Sequence, residues 1–243
     1  MGKDARIDVI IDSGNRTITV KDNGIGMSPD IVQKAFFTIG GSYKGDDVDN
    51  RLKSGGLGLA KMAFLFSSDF VEVTTVKDGV KTHVKTTPDE IQNDNFVMTT
   101  SRTDEENGTI VTVKIPEYYY TENGDKKTIY FESSPQFLSK PMIGDVTLNV
   151  KRIGSWYDAT EKAEYKGNIP EGYTYLGNAT SAFGDVEIYI APSSSYSLQT
   201  EVLISGLHQF NDNIYIDGKS RVKAIINILP SVGVKDPVYP INN

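Results

Sequence analysis

One carboxylate and two glycines stand close together at Asp22, Gly24 and Gly26, between a segment of alternating apolar residues and the start of a helical pattern. A fixed carboxylate accepts a hydrogen bond from an exocyclic amine, and adjacent glycines allow a flat ring to approach the backbone. These residue types at this spacing suit the recognition of adenine. A lone D-x-G-x-G is equally compatible with a plain turn between a strand and a helix.

A second segment that could do chemistry covers residues 54–61, where Gly55, Gly56 and Gly58 lead into an apolar helical pattern. Backbone N–H groups at the start of a helix lie beside the positive end of its dipole and can bind an anion. Phosphate is the natural occupant of such a site, and a flexible hinge is the alternative. The segment is not a Walker A loop, because Lys61 is not followed by Ser or Thr.

The segment between these two motifs, over residues 38–53, is polar and rich in glycine, and it includes Ser42 and Lys44. Its composition does not suit a packed core. Connections of this length without regular structure are commonly functional lids or disordered segments. We interpret this segment as a lid that closes over a ligand.

The elements that must position these motifs can be predicted from periodicity. Apolar residues alternate over residues 7–11 and 17–21, which predicts a β-hairpin that ends at the D-x-G-x-G motif. Ser28 is suited to cap a helix, and Pro29 is suited to its first position. The apolar spacing predicts an amphipathic helix over 29–37 that packs against the core.

Further strands follow the glycine-rich segment. Residues 70–77 and 80–86 alternate on either side of an Asp-Gly turn, and residues 110–115 alternate after an Asn-Gly-Thr sequence. His83 lies in the second of these strands, and the sequence places no carboxylate beside it. We therefore expect a half-exposed strand histidine with no catalytic role.

Composition limits the classes of function. The chain has 243 residues, 38% of them hydrophobic and 23% charged, and its formal net charge is −7. An acidic balance argues against a broad nucleic-acid surface. The absence of cysteine excludes disulfides and thiol chemistry, and two histidines argue against a His-rich metal site. No leader and no apolar run of about 18 residues is found, which predicts a cytoplasmic chain without a membrane span.

Together, the motifs occur in the order and spacing of the GHKL ATPases, the family of the gyrase B, Hsp90, histidine kinase and MutL ATP-binding domains. The chain resembles this family over roughly residues 5–116. The matching pieces are the D-x-G-x-G motif, the lid, the G-x-G that enters a helix, and Gly108-Thr109 at the start of a late strand. The resemblance implies the Bergerat fold, a two-layer α/β sandwich of the α+β class that holds ATP under the lid.

The resemblance also implies roles for single residues around the base. Asp22 would accept from the adenine amine, directly and through water, and Thr109 would hold the water that bridges them. Gly24 and Gly26 belong to the same motif, and Gly26 would let the base pack closely. Met27 would press on the face of the base.

For the phosphates, the resemblance implies backbone donors at Gly55, Gly56 and Gly58. Ser42 and Lys44 in the lid are weaker candidates, because they would reach the phosphates only on closure. ATP is therefore the implied cofactor, together with Mg²⁺.

One motif of the family is missing from the sequence. GHKL proteins carry an E-x-x-x-N helix before the first strand; its Glu activates water and its Asn holds Mg²⁺. Residues 1–5 cannot hold this helix, and the similar spacing from Asp89 to Asn93 lies at the wrong place in the order. We therefore assign no catalytic residue and no metal ligand, and we expect uncovered apolar surface on the sheet.

The missing motif has three possible explanations. The chain could be a fragment of an ATPase, which we favour, a reduced domain that binds nucleotide weakly, or one half of a split protein. A divergent, phage-encoded branch of the family would fit such a sequence.

The second half, residues 117–243, is predicted to be a separate β-rich domain after a GHKL domain over residues 1–116. In several branches of the family a transducer domain follows, whose lysine reaches the γ-phosphate. Lys219 could be that lysine, but a solvated turn lysine is the favoured alternative. The tyrosines at 118–120 could form a stacking platform for bases, although packing roles are commoner.

Three details of this half are also predicted. We expect turns at Gly144-Asp145 and at Asn211-Asp212-Asn213, and short helices at Ser134–Leu138 or Thr200–Val202.

The predicted function is ATP binding within an ATP-gated machine of the MutL, topoisomerase or Hsp90 kind, with lid closure on the nucleotide. ATP hydrolysis would follow only if the missing Glu and Asn are supplied. Expected partners are ATP and either a second copy of the chain or a chain that supplies the helix, with nucleic acid reached only through a full-length protein. The alternative is a non-enzymatic interaction or structural module without turnover.

Overall fold

In the computed structural model of the chain, the residues described are 5–38, 62–131, 140, 142–154, 161–181, 184–195, 197–214 and 221–230. They form strands with a few short helices, which confirms the predicted α+β class. The chain divides into two compact units. Of the described residues, the first unit contains those up to 131 and those from 146 to 166, and the second contains the others.

The first unit is built on one mixed sheet with the strand order β9-β1-β2-β6-β3-β4-β5. All neighbours in this order are antiparallel except β1 and β9, which are parallel. The strands are β1 (Ala5–Asp12), β2 (Thr17–Asp22), β3 (Phe70–Lys77), β4 (Val80–Thr86), β5 (Met98–Arg102), β6 (Gly108–Lys114) and β9 (Met142–Ile153).

The predicted hairpins 7–11 with 17–21 and 70–77 with 80–86 are confirmed as β1–β2 and β3–β4. Two short strands, β7 (Tyr118–Tyr120) and β8 (Lys126–Thr128), pair only with each other, and β10 (Glu161–Asn168) pairs with β9. Alternating residues point to opposite faces of such strands, so each hairpin presents one face to the core.

Among the described residues, three short α-helices accompany the sheet: α1 (Pro29–Ile31), α2 (Met62–Leu65) and α3 (Pro88–Gln92). The predicted helix over 29–37 begins at Pro29, as expected, but α1 continues as a π-helical segment, Val32–Phe36. The N–H of Phe37 donates to the carbonyl of Val32 at 3.3 Å. Ser28 occupies the N-cap position, as predicted, although its side chain makes no capping hydrogen bond.

The core of the first unit lies between these helices and one face of the sheet. Its cluster of buried residues is Val32, Phe37, Leu65, Val71, Val73, Val84 and Ile91. Val71 and Val73 alternate along β3, and the next residue on that face is Thr75. Leu65 from α2 is 1% exposed, and burial of such a side chain contributes about 1.5–3 kcal/mol.

The second unit contains a five-stranded sheet with the order β11-β12-β15-β13-β14, in which only β13 and β15 are parallel neighbours. Tyr189, Leu203 and Ile225 form its buried cluster. The strands are β11 (Thr174–Ser181), β12 (Gly184–Pro192), β13 (Leu198–Ile204), β14 (Leu207–Ile214) and β15 (Val222–Pro230).

Three local predictions for the second half were wrong. Gly144-Asp145 lies inside β9, and Asn211-Asp212-Asn213 lies inside β14, because the turn falls earlier, at Ser205-Gly206. Thr200–Val202 is part of β13 rather than a helix, since Thr200 and Val202 are buried on one face of a strand. Ser134–Leu138 and Lys219 lie outside the described residues.

Candidate functional site

The end of the β1–β2 hairpin fixes the position of Asp22. Asp22 is the last residue of β2 and pairs with Ile7 in β1. The N–H of Arg6 donates to Oδ1 of Asn23 at 2.8 Å, and the N–H of Asn23 donates back to the carbonyl of Arg6 at 3.3 Å. These two bonds close the hairpin, so the carboxylate of Asp22 stands at a defined edge of the sheet.

The carboxylate of Asp22 is oriented by the turn that follows it. Its Oδ1 accepts from the N–H of Gly24 at 2.8 Å. A Cβ at Gly24 would lie 2.9 Å from the same oxygen, so the close approach of the carboxylate explains the glycine. No group in the described residues donates to Oδ2, which leaves a half-buried acceptor.

Thr109 lies directly opposite Asp22, as the last pair of the antiparallel ladder between β2 and β6. The predicted adjacency of Asp22 and Thr109 on neighbouring strands is therefore confirmed. Thr109 is 9% exposed. Opposite residues of an antiparallel pair share a face, so a carboxylate and a hydroxyl lie side by side at this edge of the sheet.

Thr75 belongs to the same group of residues, although it was not predicted from the sequence. It pairs with Thr109 across β3 and β6, and it is fully buried. Its hydroxyl accepts from the N–H of Met27 at 2.9 Å and lies 3.1 Å from the hydroxyl of Thr109. A signal was available, because Thr75 is a polar residue at a core position of the alternation through Val71 and Val73.

Gly26 and Met27 connect this edge of the sheet to the core. Gly26 has a φ of 68°, and a Cβ there would lie 1.9 Å from the carbonyl oxygen of Val76. Its glycine is thus required by backbone packing against β3. The side chain of Met27 is partly buried against the core cluster, and its N–H is held by Thr75.

The other predicted site residues cannot be placed in this geometry. Those predicted to contact the phosphates lie outside the described residues: Ser42, Lys44, Gly55, Gly56 and Gly58.

The described groups suit one part of the implied cofactor and not another. A free carboxylate oxygen beside a hydroxyl can accept from the amino edge of a base, so these acceptors fit adenine. Within the described ranges, no group of three or more His, Asp or Glu side chains could hold a metal ion.

The segment from Asp89 to Asn93 has a purely local role in the structure. Thr87 and Glu90 form a capping box at the start of α3, in which Oε2 of Glu90 accepts from the N–H of Thr87 at 2.8 Å. Nδ2 of Asn93 donates to the carbonyl of Asp89 at 2.8 Å and ends the same helix. These contacts account for the D-x-x-x-N spacing without catalysis.

His83 does have a carboxylate neighbour, contrary to expectation. Its Nε2 lies 3.0 Å from Oε1 of Glu72 across β3 and β4. The hydrogen bond with His83, followed by the charge of Lys85, lowers the pKa of Glu72 below its ordinary value. Glu72 points away from the buried face of β3, so this pair lies outside the candidate site.

No helix among the described residues is long and apolar enough to cross a membrane.

Comparisons with known proteins agree with this geometry. The ATPase region of Saccharomyces cerevisiae topoisomerase II is similar in structure, with a TM-score of 0.57 and 14% sequence identity over 92% of this chain and 67% of that chain. The same region bound to ICRF-187 (dexrazoxane) gives a TM-score of 0.56 with the same identity and coverage. At this identity, the likeness shows a shared fold.

A search of curated proteins gave no match. The profile of the family described as histidine kinase-, DNA gyrase B-, and HSP90-like ATPase matches residues 3–114, which contain Asp22, Thr75 and Thr109. With the shared fold, this match shows that residues 3–114 are a domain of the histidine kinase-, DNA gyrase B-, and HSP90-like ATPase family, the GHKL superfamily.

Proposed function

We propose that the chain binds ATP and recognises its adenine amino group at Asp22 and Thr109. The observation that carries the proposal is the pairing of these two residues on one face of adjacent strands. Gly24 orients the carboxylate through its N–H, which leaves the other carboxylate oxygen to accept from a base. Family membership of residues 3–114 supports ATP as the nucleotide.

The rest of the nucleotide site follows by similarity to the family. Gly26 and Met27 would lie against the base, because the turn after Asp22 carries them past the carboxylate. The phosphates would be bound by backbone N–H groups at Gly55, Gly56 and Gly58. Ser42 and Lys44 would reach the phosphates when the lid over residues 38–53 closes.

Hydrolysis needs a glutamate that activates water and an asparagine that holds Mg²⁺, by analogy with the family. We assign neither role to a described residue. We propose that the rest of a full-length protein, or a different partner chain, supplies both groups. When bound, Mg²⁺ would neutralise charge on the phosphates.

A wider role in an ATP-gated machine is part of the proposal. We propose a machine of the MutL, topoisomerase or Hsp90 kind, and the similarity in fold to the topoisomerase II ATPase region is compatible with it. We further propose a GHKL domain over residues 1–116, a transducer-like β-rich domain over residues 117–243, and a cytoplasmic location. The net charge of −7 disfavours direct binding of nucleic acid by this chain.

Isothermal titration with Mg²⁺ and a non-hydrolysable ATP analogue tests the base site. Asp22→Asn places an amide N–H₂ where an acceptor is needed, and we expect at least a tenfold loss of affinity, about 1.4 kcal/mol. Asp30→Asn is the matched control, because Asp30 is an exposed residue of α1 that pairs with Lys34, and it should bind like the wild type. A wild-type chain that does not bind the analogue would contradict the proposal.

A nucleotide-binding module without turnover is the second candidate function. The observation in its favour is that the spacing from Asp89 to Asn93, which is similar to E-x-x-x-N, has a local role in forming and ending α3. A phosphate-release assay separates the two candidates. Steady release from ATP that is lost in Asp22→Asn indicates an ATPase, whereas binding without release indicates the module.

A further inference from the structure

A row of polar side chains crosses the sheet behind the candidate base site. Thr109 pairs with Asp22, Thr75 pairs with Thr109, and Thr82 pairs with Thr75, on the successive strands β2, β6, β3 and β4. Thr75 is 0% exposed and Thr82 is 1% exposed. The row therefore leads from a half-buried carboxylate into the core, where hydroxyl groups need partners.

The hydroxyl of Thr75 meets three groups, each with a different requirement. The N–H of Met27 lies 2.9 Å away, the carbonyl oxygen of Gly108 lies 3.0 Å away, and the hydroxyl of Thr109 lies 3.1 Å away. A threonine hydroxyl has one proton to donate and two lone pairs that accept. Three contacts therefore use its whole capacity.

Only one assignment of protons satisfies all three contacts. The carbonyl of Gly108 can only accept, so the proton of Thr75 must point to it. The N–H of Met27 can only donate, so it uses one lone pair of Thr75. Thr109 must then donate its own proton to the remaining lone pair, which leaves the Thr109 oxygen as an acceptor toward its other neighbours.

We propose that Thr75 is a positioning residue of the base site, which fixes the hydroxyl of Thr109 as a hydrogen-bond acceptor. This inference rests on the proposed binding of ATP. Thr75 acts through Thr109 and through the backbone of Met27, and it does not itself contact the base.

The consequence is a site with two acceptors side by side. Asp22 and Thr109 both present lone pairs, directly or through an ordered water, to the ligand. The amino group of adenine donates hydrogen bonds to these two acceptors. The oxo group that guanine carries in the same place is itself an acceptor, so it leaves them without a donor. Thr75 thus strengthens the preference for adenine over guanine, because buried polar groups left unpaired are costly.

Three variants separate this role from simple packing. Thr75→Val keeps the shape and removes the hydroxyl, and Thr75→Ser keeps the hydroxyl. Thr82→Val is the matched control, because the buried hydroxyl of Thr82 has no hydrogen-bond partner among the described residues. The measurements are the dissociation constants of non-hydrolysable ATP and GTP analogues and the urea midpoint of each variant.

In Thr75→Val the proton of Thr109 is released and can turn toward the base. We expect the ATP analogue to bind about tenfold more weakly. The dissociation constant of the GTP analogue divided by that of the ATP analogue, here called the selectivity ratio, should fall about threefold or more. Thr75→Ser should keep the wild-type selectivity ratio, and Thr82→Val should keep the wild-type dissociation constants of both analogues. The midpoint of Thr82→Val should be unchanged or higher, since an unpaired buried hydroxyl is removed.

The selectivity ratio of Thr75→Val decides between a positioning role and simple packing. If Thr75→Val weakens both analogues in equal proportion, or neither, Thr75 is only a structural residue and the inference is overturned. A lower selectivity ratio in Thr75→Ser overturns the inference as well. This result does not depend on whether Thr75→Val folds. If the wild-type chain binds neither analogue, the proposed function is refuted, and the inference is refuted with it. If the wild type binds the ATP analogue and the variants have wild-type dissociation constants, only the inference is refuted.

Discussion

Gly26 is the residue at which the backbone between β2 and α1 packs most closely on the sheet. Its φ of 68° disfavours other residues, and any Cβ at this position would lie only 1.9 Å from the carbonyl oxygen of Val76. We predict that Gly26→Ala lowers the free energy of unfolding by about 3 kcal/mol, from backbone strain and overpacking together. Urea denaturation measures the change.

Gly124→Ala is the control for Gly26→Ala. Gly124 has a φ of 81°, but a Cβ there would have nothing within 4 Å. We expect Gly124→Ala to lower the free energy of unfolding by about 1 kcal/mol, from backbone strain alone. Equal losses in the two variants would show that the contact with Val76 does not matter.

Asp8 on β1 carries a pH-dependent part of the stability. A hydrogen bond from Arg6, together with one from Asn149 and the charge of Lys21, holds the pKa of Asp8 below its ordinary value of 3.8. A carboxyl with a lowered folded pKa stabilises the fold above its unfolded pKa, and this contribution is lost as pH falls through the folded pKa. We predict that Asp8→Asn removes the contribution.

The measurement for Asp8 is the free energy of unfolding from pH 6 to pH 2.5. The difference between wild type and Asp8→Asn should be largest above pH 3.8 and should shrink below it. It should also shrink at high salt, because Arg6 is 57% exposed. In an Arg6→Gln background the effect of Asp8→Asn should be much smaller, and an unchanged effect would contradict the assigned cause.

At the scale of elements, one side chain fixes the hairpin of β7 and β8. Nε of Arg16 donates to the carbonyl of Ile115 at 3.1 Å, and Nη2 donates to the carbonyls of Pro116 at 2.6 Å and Ile129 at 2.9 Å. These carbonyls stand where the chain enters and leaves the hairpin. The guanidinium also lies 5.5 Å from the ring centre of Phe131.

We predict that Arg16→Lys loosens this hairpin, because an ammonium group cannot reproduce the planar set of donors. The amides of Thr121 and Ile129 should exchange with deuterium about tenfold faster, as expected for the loss of hydrogen bonds to a charged group. Lys114→Gln is the control, since Lys114 donates to the carbonyl of Asn15 in the β1–β2 turn rather than to a carbonyl of the hairpin. Equal exchange in both variants would show that Arg16 does not fix the hairpin.

At the scale of the whole molecule, the first unit contains a strand that comes late in the sequence. β1 pairs in parallel with β9 from Ala5 opposite Val146 to Asp12 opposite Ile153. Nδ2 of Asn149 donates to the carboxylate of Asp8 at 2.7 Å, across 141 positions. Val150 is 2% exposed, so β9 contributes to the core beside β1.

We predict that a chain shortened to residues 1–131 is much less stable than one that ends at residue 166. The shorter chain exposes one edge of β1 and loses the packing of Val150, and a loss of several kcal/mol is a large fraction of the stability of a typical domain. Circular dichroism and urea denaturation of both chains measure the difference. Equal midpoints would show that residues 1–131 fold without β9.

The sequence by itself determined the local features of this protein. The β1–β2 and β3–β4 hairpins, the start of α1 at Pro29 and the place of Asp22 at the end of a strand follow from residue periodicity and turn chemistry. The family could be identified because the motif at Asp22 and the pair Gly108-Thr109 keep their order along the chain. Such features depend on neighbours in sequence, which a pattern can report.

The tertiary structure alone decided which distant groups meet. Three contacts join segments whose sequence patterns do not indicate their partners. They are the pairing of β1 with β9, the contact of His83 with Glu72, and the hydrogen bonds of Arg16 to the β7–β8 hairpin. Alternation shows that a strand has a buried face, but it does not show which strand lies beside it.

The candidate base site combines both kinds of information. Its carboxylate was predictable, since a D-x-G-x-G after a strand favours a fixed Asp22. The role of Thr75 was not, because it depends on the register of three strands that bring Thr75, Thr109 and Asp22 onto one line. Hydrogen bonding among them is settled by distances between strands, and those distances exist only once the sheet has formed.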